Sequence, residues 1–73
     1  MLSQQEKSII YAGAKKAMST AIQLYPDCTA VEHVEHVIKA FCDATKFSSF
    51  MGRPMTEQDI KEVKQIVVGL FLN

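Results

Sequence analysis

Glycine is scarce in this chain, and its three copies, Gly13, Gly52 and Gly69, are scattered. A loop that cradles phosphate needs clustered glycines so that backbone N–H groups can approach the ligand, so that motif is excluded. Cysteine is equally scarce: Cys28 and Cys42 are the only two. A zinc site needs three or four converging ligands, and two thiols do not supply it. No charge of one sign dominates, because eight Lys+Arg balance eight Asp+Glu. A protein that binds a DNA duplex draws on a positive field over the phosphates. No global field of that kind exists here, so a duplex is not an expected partner. A zero net charge also does little to oppose self-association.

Long apolar runs are missing too. No segment approaches the roughly 20 apolar residues of a membrane span. The opening "MLSQQEKSII" has polar and acidic residues where a secretory leader needs a basic start and a long apolar stretch. A cytoplasmic chain with both thiols reduced is expected. In an exported chain a Cys28–Cys42 bridge stays open.

What is present is apolar residue content: 48% of 73 residues. One domain, residues 1–73, is all that this length supports. A domain this small buries only about 60% of the surface its unfolded chain exposes. The surplus apolar surface suggests a second copy or another protein as cover.

Three helix starts share one pattern. "SQQE" (Ser3 to Glu6), "TAVE" (Thr29 to Glu32) and "TEQD" (Thr56 to Asp59) each place a hydroxyl three residues before an acid. The hydroxyl accepts from an early backbone N–H and the acid reaches back to the cap. Helix-period apolar residues follow each time. The expected fold is therefore all-α, a compact three-helix bundle with helices at about 4–24, 30–45 and 57–72.

In the first helix Ile10, Ala14, Ala17, Met18, Ala21, Leu24 and Tyr25 share a face. Gly13, Ala17 and Ala21, four apart, form a small-residue seam that lets another backbone come close. Gly13 costs roughly 1 kcal/mol of helix propensity relative to alanine, which a close contact would offset. Pro26 ends this helix by disfavouring helical geometry at Tyr25. Val31, Val34, Ile38 and Phe41 are the expected core stripe of the second helix.

The segment "KFSSFMGRPM" carries loop residues but also Phe47, Phe50, Met51 and Met55. Loops run along the surface and are usually polar. This one either folds down as a lid over one end of the bundle or offers an apolar surface to a partner, with Arg53 projecting from it. The third helix places Ile60, Val63, Ile66, Val67, Leu70 and Phe71 on one face, with Val68 and Leu72 on the other. A helix apolar all round is buried all round, so Val68 and Leu72 are the expected self-association edge. Fraying or a short terminal strand is the alternative.

Two histidines and several acids crowd "TAVEHVEHVIKAFCDA". On a helical wheel Glu32, His36, Lys39 and Asp43 fall on the polar side and His33 at its edge, while Cys42 projects elsewhere. The spacings H-E-x-x-H and E-x-x-H are both absent. Glu32 with His36 and Glu35 with Lys39, at i and i+4, read as solvated pairs. No metal and no cofactor is expected. Nucleophilic catalysis needs a base and an orienting group, and a bundle of this size leaves little room for a substrate pocket, so no enzyme is expected either.

The reading that follows is a small non-catalytic protein–protein interaction module, a regulator or inhibitor that occupies a partner surface through Phe47, Phe50, Met51, Arg53 and Met55. Aromatic and arginine anchors are the usual energetic centres of interfaces, and methionines adapt to partners. Homo-oligomerisation through Val68 and Leu72 goes with it. The alternative is an oligomeric protein that sequesters a nucleotide-like anion through Tyr11, Lys15 and Lys16, where an aromatic ring beside ammonium groups can stack on a base and pair with phosphate.

Overall fold

Capping chemistry divides the chain into helices. The computed structural model describes residues 1–72 and contains α1 (Gln4–Leu24), α2 (Ala30–Phe41), α3 (Ala44–Met51) and α4 (Glu57–Phe71). Among the described residues there is no strand. Full reciprocal capping boxes open α1 at Ser3/Glu6, α2 at Thr29/Glu32 and α4 at Thr56/Asp59. Among the described residues no helix is long and apolar enough to cross a membrane.

The described residues form four helices rather than three, and the difference lies at residues 42–52. The second helix stops at Phe41 instead of continuing to Thr45. Asp43 leaves helical geometry and its carboxylate accepts from the Lys46 N–H at 3.0 Å, opening a new helix. Asp is a strong N-cap by itself, and "DATK" lacks the acid at the third position that marks the other three starts. Much of the expected loop is thus α3. It ends at Gly52, whose φ of 70° is a left-handed cap that glycine adopts without a Cβ penalty.

Helices α1, α2 and α4 pack on one another in pairs. Their core is Leu2, Ile10, Ala14, Met18, Val34, Val37, Phe47, Val63 and Val67. Burying each of the larger of these side chains contributes roughly 1.5–3 kcal/mol. α3 joins by inserting Phe47 and laying Met51 against the cluster.

The wheel of α1 holds for Ile10, Ala14, Met18 and Ala21, which are buried, but not for its end: Leu24 and Tyr25 are exposed. α2 is rotated from the expected stripe. Val31 is exposed, while His33, Val34 and Val37 are buried and Ile38 and Phe41 are half-buried. The reason is that α2 must face α1 and α4 together, which brings the His33 edge inward. In α4, Val63 and Val67 are fully buried and Val68 packs against the chain's own core. The chain thus supplies part of the cover expected from a second copy, and Leu72 stays exposed.

Candidate functional site

Arg53 is turned onto the chain's own carboxylates. Its Nε and Nη2 donate to Glu6 at 2.9 and 3.1 Å, and its Nη1 and Nη2 donate to Asp59 at 2.7 and 3.1 Å. Nη1 also donates to the Pro54 carbonyl at 3.1 Å, and the guanidinium stacks 5.2 Å from the Phe47 ring centroid. The planar fork suits two bidentate carboxylates at once. Asp59 has no exposed surface, and it accepts in addition from the Thr56 N–H at 2.9 Å and lies 3.0 Å from the Met1 amino group. Buried Leu2 is held nearby, its N–H donating to Glu62 at 2.6 Å.

The electrostatics follow the geometry. The Arg53 guanidinium, helped by the Ser3 backbone, pulls the Glu6 carboxyl down to about 2. Arg53 likewise holds Asp59 well below the ordinary carboxylate range, against the opposing effect of burial. The two carboxylates in turn hold the Arg53 proton more tightly than usual. This cluster joins the residues before α1, the α3–α4 connection and the first turn of α4. Its donors and acceptors are engaged with one another, so it is a clasp.

The open feature lies beside it, along α1. Ile9, Gly13, Ala17, Ala21 and Leu24 rise along one line of the helix and form one side of a groove. Ala40 and Phe41 of α2 form the other side, and Phe50 of α3 closes one end. The larger lobe holds about 450 Å³, with Tyr25 and His36 at its far end. A second lobe of about 280 Å³ continues past Phe47 and Met51 and shares Ile9, Ala17, Ala40, Phe41 and Phe50 with the first. The polar residues along both lobes are Lys16, Thr20, Lys46, Tyr25 and His36, and among the described residues no carboxylate lines either.

Close approach explains the small side of this groove. A Cβ built on Gly13 would sit 2.8 Å from Cζ of the Phe41 ring. The glycine therefore lets the ring lie against α1, the contact that offsets its poor helix propensity.

The five expected partner-binding residues are divided by the fold. Phe47 is a core residue and Arg53 belongs to the clasp. Met51 and Met55 are half-buried against the core, and Phe50 is 69% exposed. Of the three anion-binding candidates, Lys16 borders the groove, while Tyr11 and Lys15 stand exposed outside its lining. The sequence reading missed Ile9, Ala40 and the open side of Gly13, Ala17 and Ala21. A signal was present: Ile9 and Leu24 extend the apolar surface of α1 at both ends of the small-residue seam.

The histidine-rich stretch forms an adjoining shallow cavity of about 390 Å³ between Tyr25, Cys28, Glu32, His33, Glu35, His36 and Lys39, sharing Tyr25 and His36 with the groove's far end. His36 stacks against Tyr25 with ring centroids 5.7 Å apart. The Thr29 backbone N–H lowers the Glu32 carboxyl, which is its capping contact. Among the described residues no group of three or more His, Cys, Asp or Glu is placed to hold a metal ion. Both cysteines are free and half-buried. Burial pushes the Cys42 thiol up, opposed by Lys64, which disfavours the reactive thiolate.

The chain matches no protein-family model, no curated protein and no solved structure.

Proposed function

We propose that this protein is a small non-catalytic interaction module that regulates or inhibits a partner by engaging it in the α1/α2/α3 groove. The observation that carries this reading is the exposed Phe50 ring standing at the junction of two connected apolar lobes. Exposed aromatic anchors beside a preformed apolar cleft are where binding energy concentrates. The module works in the cytoplasm, where its free thiols stay reduced. Phe47, Arg53 and Met55 support it indirectly, by fixing α3 and so the position of Phe50.

The test is tandem-tag purification of the wild type and Phe50→Asp from the same cells. The wild type retains a stoichiometric protein partner and Phe50→Asp loses it while keeping its helical circular dichroism. Equal recovery with both variants refutes the groove. Homo-oligomerisation through Val68 and Leu72 is a separate part of the reading, supported by exposed Leu72 alone, since Val68 packs against the core. Light scattering at two concentrations tests it, and a monomer at both removes it.

Sequestration of a nucleotide-like anion has thinner support, since Tyr11, Lys15 and Lys16 do not line one pocket. A ligand that binds only the folded state raises its melting temperature. A large shift with a nucleotide that Lys15→Gln/Lys16→Gln abolishes would favour this alternative.

A further inference from the structure

We infer that the occupant of the groove is an amphipathic α-helix of a partner protein, about four turns long, carrying Asp or Glu on its flanks. The inference rests on the docking reading above and adds the chemical class of the partner. Three observations carry it.

The first is shape. The groove follows α1 from Ile9 to Leu24, fifteen residues and therefore about 22 Å at 1.5 Å rise per residue. That is a length of about four helical turns, too long for a compact ligand. Between its ends the small side chains Ala17 and Ala21 of α1 face Ala40 of α2, while Gly13 lies under the Phe41 ring. Small side chains allow a docked helix to approach with its axis near the short end of the usual 8–10 Å separation.

The second is the placement of anchors. Phe50 and Ile9 stand at one end and Leu24 and Tyr25 at the other. An apolar stripe at i, i+3/i+4, i+7 and onward meets both ends and the floor between them.

The third is charge. The chain carries no net charge, yet the ionised side chains along the groove are Lys16 and Lys46, and among the described residues no carboxylate lines it. The nearest acids lie past its two ends: Glu6, paired with Arg53, beyond Ile9 and Phe50, and Glu32, engaged at the α2 cap, with Glu35 beyond Tyr25 and His36. Complementary potentials steer and specify partners, and like charges facing each other are disfavoured. A second copy fits this poorly. An antiparallel α1–α1 pair centred on the groove would bring Lys16 toward its own symmetry mate, and the outward positions of α4 are Glu57, Gln58, Lys61, Lys64, Gln65 and Gly69, which form no apolar stripe.

The experiment is selection from a displayed library of sixteen-residue amphipathic helices, with a fixed apolar stripe and randomised flanks. The baits are the full chain, its Lys16→Glu/Lys46→Glu variant and its Phe50→Asp variant, each first shown to be folded. The wild type should enrich Asp and Glu on the flanks. The recovered peptides should bind the double lysine variant at least tenfold more weakly and lose their binding to Phe50→Asp. Salt should weaken the wild-type complex, as it screens exposed charges. Binders without acidic enrichment that still require Phe50 overturn the acidic-helix inference and leave the docking reading standing. Binders indifferent to Phe50→Asp, or no binders at all, overturn both.

Discussion

Replacing Asp59 with alanine removes a carboxylate that has no exposed surface and four polar contacts: two from Arg53, one from the Thr56 N–H and one from the Met1 amino group. Hydrogen bonds to charged groups contribute about 1.5–3 kcal/mol, and breaking a buried ion pair by removing one partner costs about 3–5 kcal/mol. Arg53 keeps its bidentate pairing with Glu6 and some access to water, so the stranded charge is partly compensated. The expected loss is then at the lower bound, about 3 kcal/mol. At about 4–8 °C per kcal/mol for a domain of this size, the melting temperature falls by about 12–24 °C. Total stability at about 0.05–0.15 kcal/mol per residue is only about 4–11 kcal/mol, so the variant folds in the cold and melts early.

Thermal and urea unfolding followed by circular dichroism near neutral pH measure this. Asp59→Asn separates charge from shape. Its amide oxygen can still accept from Thr56, but its amide nitrogen opposes a guanidinium donor, so it should lose nearly as much as alanine. The gap between wild type and Asp59→Ala should also depend on pH. Asp59 is held below its ordinary value, so its contribution is present above about pH 4 and fades as acid protonates the unfolded chain first. A loss below about 1 kcal/mol, the value of an exposed pair, or full rescue by asparagine, refutes the clasp as a source of stability.

Three further outcomes are expected. Glu6 drops from an ordinary value of 4.5 to about 2 beside Arg53, so its stabilisation is complete above its unfolded value and is lost as pH falls toward 2; the acid melting curve of Arg53→Gln should be flatter than that of the wild type over that window. Phe47→Ala should cost about 3–5 kcal/mol as a core truncation, whereas Phe50→Ser, at an exposed position, should change the melting temperature by only a few degrees; equal losses would contradict the burial of one and exposure of the other. Gly13→Ala gains about 1 kcal/mol of helix propensity but drives a methyl group into the Phe41 ring, at about 1–3 kcal/mol for overpacking, so a clear rise in stability would refute the close contact.

The helix starts were legible because a capping box is a local device. Ser3, Thr29 and Thr56 each act within four residues, and the three helices they open begin where that pattern predicts. Asp43 was equally local but carries no reciprocal acid, so its helix was read as loop. Phe47 and Phe50 show the limit of reading by composition. They sit three residues apart in one segment, and only the docking of α3 sends one into the core and leaves the other in solvent.

The sequence by itself determined an all-helical chain, the caps that begin its helices and the apolar line Ile10–Ala14–Met18 that seats α1, because these depend on neighbours within a turn or two. The tertiary structure alone decided the fate of Arg53, of Asp59 and of the Gly13–Ala17–Ala21 seam. Glu6 and Arg53 lie 47 residues apart in the chain, and no periodicity relates them. Gly13 lies under the Phe41 ring, while Ala17 and Ala21 line the groove. Which part of the seam lines the groove depends on how four helices share one core, and that is a property of their packing rather than of any one segment.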